Sequence, residues 1–174
     1  MKIGICGKMC SGKSTLAGKI INQYKNIYKE DCKKDSLANK VYELAYELFE
    51  MKEKDRFLLQ QIGTKMRDID KDVWIKYIIK KHKNTDNIII DDVRYINEIL
   101  ELKNNGYFII RLEISPELQE KRIKELYKNN SEQHLINRNH ESEIISYNRN
   151  NILWDLVINV DKDNIDTIIS TLLS

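Results

Sequence analysis

The chain has 174 residues and a mass of 20.6 kDa, enough for one domain with a real core and too short for two ordinary ones. Lys plus Arg is 29 and Asp plus Glu is 27, a formal charge of +2, which argues against a strongly basic nucleic-acid binder and against an acidic tail. With 41% hydrophobic and 32% charged residues and no long apolar run, the sequence reads as neither disordered nor membrane-spanning.

Lys2-Ile3-Gly4-Ile5-Cys6 reads as a short buried strand that runs straight into glycines, and so as the start of the fold and not as a signal peptide. A helical pattern follows from Ser14 to Lys25, with Leu16, Ile20 and Ile21 on one side. Ile27 to Lys33 is expected to form a polar strand. Apolar residues recur at helical spacing from Ser36 to about Met51, from Asp55 to Arg67 and from Asp72 to Lys83. Asn87 to Asp91 is a β-branched buried strand, Ile96 to Asn104 a helix ended by Asn105-Gly106, and Tyr107 to Ile114 a further strand. Ser115-Pro116-Glu117 is a helix start: a hydroxyl cap, proline at the first helical position and an acid in the first turn. That helix runs to Tyr127, and Lys128 to Glu141 is polar and mixed. A last strand, Leu156 to Val160, and a last helix, Ile165 to Leu173, close the chain.

Strands alternating with helices imply parallel strands joined by right-handed crossovers and covered on both faces. The expected fold is α/β, three-layered, with a mostly parallel five-stranded sheet. Ligands in such folds bind beyond the carboxyl ends of the strands, here the residues after Cys6, Ile90 and Ile114. The three cysteines, Cys6, Cys10 and Cys32, form no CxxC pair, which argues against a disulfide framework or structural zinc and for a cytoplasmic location. His82, His134 and His140 show no metal-ligand spacing and are expected at the surface.

Gly7-Lys8-Met9-Cys10-Ser11-Gly12-Lys13-Ser14 fits G-x-x-x-x-G-K-[ST] at every fixed position, after a strand and at the start of a helix. Glycines let successive N–H groups turn inward on phosphate oxygens, and the helix adds its positive end. Lys13 supplies a point charge to the β and γ phosphates. The Ser14 hydroxyl can hold Mg²⁺, and Thr15 completes the ATP-binding segment. Asp91 and Asp92 end the strand opposite. One of them can serve the metal shell, with Asp91 assigned that place, and Arg94 can take a second phosphate as a fork. The alternative reading makes Asp91 or Asp92 a helix cap. Val93 stands where a motor NTPase would carry a water-orienting Glu, which favours transfer to an acceptor over hydrolysis.

With these residues in view, the chain resembles the phosphate-loop nucleoside monophosphate kinases, most closely the deoxynucleoside monophosphate kinases of phage and large-virus type. The resemblance rests on Gly7 to Ser14; Ser36 to Lys40 with Glu43-Leu44-Ala45; Gln61-Ile62-Gly63-Thr64 with Arg67; Asp70 to Ile75; Asp91-Asp92-Val93-Arg94 with Asn97-Glu98; and His140 to Glu143. It implies a single kinase domain over 1–174, an acceptor-binding helical region over about 36–83 and a mobile lid over about 116–143. It also implies transfer of the ATP γ-phosphoryl group to a (d)NMP with Mg²⁺. Carried over by position, Ala38, Lys40, Gly63, Arg67, Trp74, Asp92, Arg94 and Glu98 line the acceptor. Lys13, Asp92 and Arg94 act on the phosphates, with Arg122 and Arg138 as lid candidates. Leu37, Asn39 and Tyr42, and Asn159-Val160-Asp161, depart from the family pattern and leave base and sugar preference open. Trp74 has two readings, a core ring or a ring against the acceptor base; Trp154, Tyr42 and Tyr46 read as packing. The expected partners are ATP and a nucleoside monophosphate, without nucleic acid or membrane, in a monomer or homodimer. Rival readings are another small-molecule kinase with an anionic acceptor, an NTPase switch with a macromolecular partner, and a nucleotide-binding module without catalysis.

Overall fold

The computed structural model describes residues 1–128, 131–137 and 154–174. Five parallel strands form one sheet in the order β2-β3-β1-β4-β5. They are β1 (Lys2–Gly7), β2 (Lys33–Asp35), β3 (Ile88–Val93), β4 (Phe108–Glu113) and β5 (Leu156–Asn159). The helices are α1 (Lys13–Tyr28), α2 (Leu37–Phe49), α3 (Arg56–Ile69), α4 (Val73–Lys81), α5 (Ile96–Asn104), α6 (Pro116–Leu126), α7 (Ser131–Asn137) and α8 (Ile165–Leu172). The α/β expectation with helices on both faces holds.

The strand period of two divides the core between the faces. Ile89, with Ile3, Ile5, Ile110 and Ile158, packs against Leu16, Ala17 and Ile20 of α1 and Ile169 of α8. Ile88 and Ile90, with Ile109, pack against Leu37 and Ala45 of α2, Ile75 and Ile78 of α4, and Ile99 and Leu102 of α5. Each fully buried isoleucine contributes about 1.5–3 kcal/mol, so the sheet centre dominates the stability of the fold. Gly4 lies at that centre, where a Cβ would meet Ile109 Cδ1 at 2.9 Å and Leu102 Cδ1 at 3.0 Å.

The expectation over 27–33 is corrected. Helix α1 continues to Tyr28, because the Tyr24 and Tyr28 rings pack in a tilted pair with centroids 4.6 Å apart and the Tyr28 hydroxyl donates to Leu173 O at 2.6 Å. The strand starts only at Lys33 and is three residues long, paired along β3 with Lys34 opposite Ile89. The mixed stretch after Tyr127 contains α7. Helix α6 starts as its sequence dictates, with Leu118 N donating to Ser115 Oγ at 3.2 Å.

Two of the histidines expected at the surface are buried. His82, at the end of α4, donates from Nε2 to Asp35 Oδ2 at 2.7 Å and so ties the end of β2 to α4. His134 stacks on Tyr127 at 3.7 Å between centroids, and Arg56 Nη1 lies 3.3 Å from its Nδ1. For His82 the Asp35 carboxylate replaces the water the ring gives up, whereas His134 is held by the stack on Tyr127 and the Arg56 contact at Nδ1, with its Nε2 buried and without a hydrogen-bond partner among the described residues. His140 lies outside the described residues, as do Arg138 and the stretch to Glu143. No described helix is long and apolar enough to cross a membrane.

Candidate active site

The ends of β1, β2 and β3 meet where α1 and α2 begin. Between β1 and α1 the chain turns through Gly7 to Gly12. Gly12 has φ 96°, a left-handed conformation that suits glycine, and Cys10 holds φ 61°. A Cβ on Gly7 would lie 2.7 Å from Ser11 Oγ and 3.0 Å from Leu112 O, so glycine is required there by space as well. Lys13 folds back over this loop, donating to Gly7 O at 2.6 Å and Lys8 O at 2.9 Å. Its ammonium is thus poised above the turn whose amides would receive phosphate.

Ser14, in the first turn of α1, donates from Oγ to Asp91 Oδ2 at 2.7 Å. The same carboxylate oxygen accepts from Lys34 Nζ at 3.2 Å. Asp91 is buried, and these two donors satisfy its Oδ2 in place of water. Hydroxyl and carboxylate are hard oxygen donors of the type that Mg²⁺ takes in small number, and the pair fits that ion. The described residues contain no cluster of three His, Cys, Asp or Glu side chains able to hold a metal alone.

Helix α6 grips the far side of the loop. Gln119 Nε2 donates to Met9 O at 2.9 Å and Arg122 Nη1 to Cys10 O at 3.1 Å. A cavity of about 240 Å³ opens beside them, lined by Cys10, Gly12, Thr15, Lys19, Arg122 and Ile165 among others. Of the residues expected to bind ATP, Gly7, Lys8, Met9, Cys10, Ser11 and Gly12 form the turn, with Arg122 against it, and Lys13, Ser14 and Thr15 open α1.

On the other side, Asp92 spends both oxygens on the start of α2. Oδ2 accepts from Ser36 Oγ at 2.6 Å and Ala38 N at 2.9 Å, and Oδ1 accepts from Leu37 N at 2.7 Å. Ser36 gives α2 no side-chain cap of its own, so Asp92 fills that role from β3. Arg67 donates to Gly63 O at 3.2 Å and to Glu98 Oε1 at 3.2 Å, and its guanidinium sits 4.7 Å from the Tyr95 ring centroid. Glu98 Oε2 takes the amides of Arg94 and Tyr95 at 2.9 and 3.0 Å. Burial pushes the Glu98 carboxyl above the usual range, against the opposing pull of those amides and of Arg67.

Trp74 is buried and donates from Nε1 to Gly63 O at 3.1 Å, so the core reading describes its ring. Lys40 pairs with Glu43 Oε2 at 2.8 Å and lies 5.4 Å from the Tyr77 ring centroid. The Arg94 side chain is exposed at the end of β3. The sequence reading missed Lys34, Ser36, Gln119 and Tyr95. Of these, Gln119 had a signal: the Ser115-Pro116 start fixes the phase of α6, and Gln119 and Arg122 are three apart on one face. Deep burial pushes the Cys6 thiol up to about 12 and leaves it unreactive beside the loop.

The chain belongs to the AAA domain family, whose model matches residues 3–146. By sequence, no curated protein is similar to it. Among solved structures it is similar to a gluconokinase from Sinorhizobium meliloti 1021, at 12% identity and a TM-score of 0.60, over 99% of this chain and 89% of that one. It is also similar to a sugar kinase from Janibacter sp. HTCC2649 at 12% identity and TM-score 0.57, over 99% and 91% of the two chains. A shikimate kinase from Bacteroides thetaiotaomicron aligns at 15% identity and TM-score 0.57, over 99% and 95%. At these identities the likeness is one of fold, the phosphate-loop kinase fold.

Proposed function

We propose that the protein is an ATP-dependent phosphotransferase that moves the γ-phosphoryl group of ATP to a phosphorylated small molecule, a (deoxy)nucleoside monophosphate. The observation that carries the reading is the bond of Ser14 Oγ to Asp91 Oδ2 directly below the Gly7–Ser14 turn. A hydroxyl and a carboxylate side by side at the end of that turn support a phosphate-bound cation there. Bound there, Mg²⁺ would neutralise charge on the β and γ oxygens.

The chain's own residues divide the work. The turn's amides and Lys13 hold the triphosphate, and Arg122 and Gln119 keep the turn in shape from α6. Asp92 fixes the start of α2, and Glu98 fixes Arg67, so the acceptor's phosphate meets a guanidinium already oriented by Glu98 and Tyr95. In this reading Asp92 and Glu98 are positioning residues, and Arg67, Arg94 and Lys40 are the cations that face the acceptor. Helices α2 to α4 form the acceptor region within 36–83. The lid falls within 116–143, where 129–130 and 138–143 lie outside the described residues. Resemblance supplies the nucleotide identity of the acceptor, and the paired Arg67 and Arg94 support an anionic one.

The structure also weighs on the NTPase alternative. Val93 is buried, and Asp92, directly after the metal-side Asp91, has both oxygens committed to α2. Neither is placed to orient a water. The test is to incubate the protein with Mg-ATP and each (d)NMP, with shikimate and gluconate as comparison acceptors, and to measure ADP and phosphorylated product. The expected result is ADP formation that depends on a nucleoside monophosphate. ADP at the same rate without any acceptor would establish hydrolysis instead.

A further inference from the structure

Asp91 Oδ2 is shared by two donors, and only one of them belongs to the phosphate-loop pattern. Ser14 comes from α1; Lys34 comes from the short edge strand β2 and reaches the same oxygen at 3.2 Å. The backbone of Lys34 is fixed, because it pairs with Ile89 of β3 and because the next residue, Asp35, is buried. Asp35 in turn accepts from Lys81 Nζ and His82 Nε2, each at 2.7 Å, and from Ser36 N and Asn39 Nδ2. The Lys34 side chain is 45% exposed, against 6% for Asp91, so water can take the place of Asp91 at the ammonium while the backbone stays anchored. Strand alternation puts Lys34 on the α1 face with Ile89 and Asp91, and the chain goes from it through Ser36 into α2, the acceptor side.

A divalent cation and an ammonium compete for one carboxylate oxygen, because each requires close approach and they repel each other at the distance that sharing imposes. We infer that Lys34 is an internal counter-cation of the metal site, competing with the divalent ion for Asp91 and turning toward the acceptor side when the ion is bound. The inference rests on the phosphotransferase reading, since it takes Asp91 and Ser14 as the metal's protein ligands. It gives Lys34 two opposed effects. Its charge weakens metal binding, and its displaced head contributes to transfer beside the incoming phosphate.

The probe is Mn²⁺, with its affinity for the protein saturated with a non-hydrolysable ATP analogue read from the EPR signal of the free ion. Lys34→Met should bind Mn²⁺ more tightly by about an order of magnitude, as expected when one unit charge is removed near a partly buried ligand oxygen. Lys34→Arg, which keeps the charge, should stay within about twofold of the parent protein on the same argument. In turnover, Lys34→Met should need less Mg²⁺ for half-maximal rate yet have a lower kcat. Unchanged or weaker Mn²⁺ binding in Lys34→Met overturns the inference. Asp91→Asn separates the two claims. If it loses Mn²⁺ while Lys34→Met is unaffected, only the role of Lys34 fails; if neither variant changes Mn²⁺ affinity, the phosphotransferase metal site fails with it.

Discussion

Asp92→Ala is the most informative single change, because it acts on the start of α2, the proposed acceptor helix, without touching the Gly7–Ser14 turn. The substitution removes three bonds at once: those from Ser36 Oγ, Leu37 N and Ala38 N. Loss of a helix cap costs about 0.5–2 kcal/mol, and hydrogen bonds to a charged acceptor are worth about 1.5–3 kcal/mol each. Asp92 is partly exposed, so water recovers a share, and the net loss should be about 2–3 kcal/mol. For a chain of this size that lowers Tm by about 5–10 °C. Asp92→Asn keeps one oxygen acceptor and should cost roughly half as much. In kinetics the frayed start of α2 should raise the acceptor KM several-fold while the KM for ATP stays near its original value. Differential scanning calorimetry and initial-rate measurements at varied ATP and acceptor supply both readouts. An unchanged Tm together with an unchanged acceptor KM would refute the reasoning that Asp92 ties β3 to the acceptor side.

Lys13→Ala should abolish turnover with Tm within a few degrees of the parent protein, since its bonds to Gly7 O and Lys8 O are made to a partly exposed loop and not to the core; calorimetry and rate assays check both halves. Arg94→Ala should raise the acceptor KM and leave ATP binding alone; an unchanged acceptor KM removes it from the acceptor site. Asp35→Asn should destabilise by about 3 kcal/mol at pH 7, by leaving the buried His82 and the Lys81 ammonium without their carboxylate. Burial opposes the Asp35 charge, but bonds from Lys81, His82, Ser36 and Asn39 prevail and hold its carboxyl well below the usual range. A depressed pKa gives stability that is present above the unfolded value near 3.9 and lost as the pH falls below it. The difference between parent and variant in urea unfolding should therefore be full at pH 5 to 7 and shrink from pH 4 downward; a difference that grows on acidification contradicts the assignment. Cys6, its thiol pushed up to about 12, should resist iodoacetamide at pH 8 in the folded protein, and labelling at Cys6 read by peptide mass would count against its burial.

The features that could be read before the fold was known are those whose chemistry fixes a local spacing. The Gly7–Ser14 turn, the β-branched runs of β3 and β4, and the Ser115-Pro116 helix start each carry their cause within a few residues. Strand β2 could not be read this way. It is Lys-Lys-Asp at the sheet edge, and its pairing with Ile88 to Ile90 is supplied by β3, more than fifty residues on. The burial of His82 depends on Asp35, 47 residues away, and that of His134 on Arg56, 78 away, so neither ring's own neighbourhood announces it. The role of Asp92 was left between a metal ligand, an acceptor contact and a cap. The deciding partners, Ser36 to Ala38, lie 54 to 56 residues earlier in the chain, and no helical or strand period connects them. Trp74 shows another such case: helical spacing leaves its ring between the core and the acceptor base, and its burial with the bond to Gly63 O, 11 residues earlier, supports the core.

In the proposed reaction the Gly7–Ser14 turn and Asp91 together receive a metal-bound triphosphate. A crystal structure with Mg²⁺ and a non-hydrolysable ATP analogue tests it most directly. It should show the β and γ phosphates inside the turn, Lys13 Nζ moved from Gly7 O and Lys8 O onto phosphate oxygen, and the metal between Ser14 Oγ and Asp91. Nucleotide bound elsewhere, with Lys13 still on its two carbonyls, would contradict it.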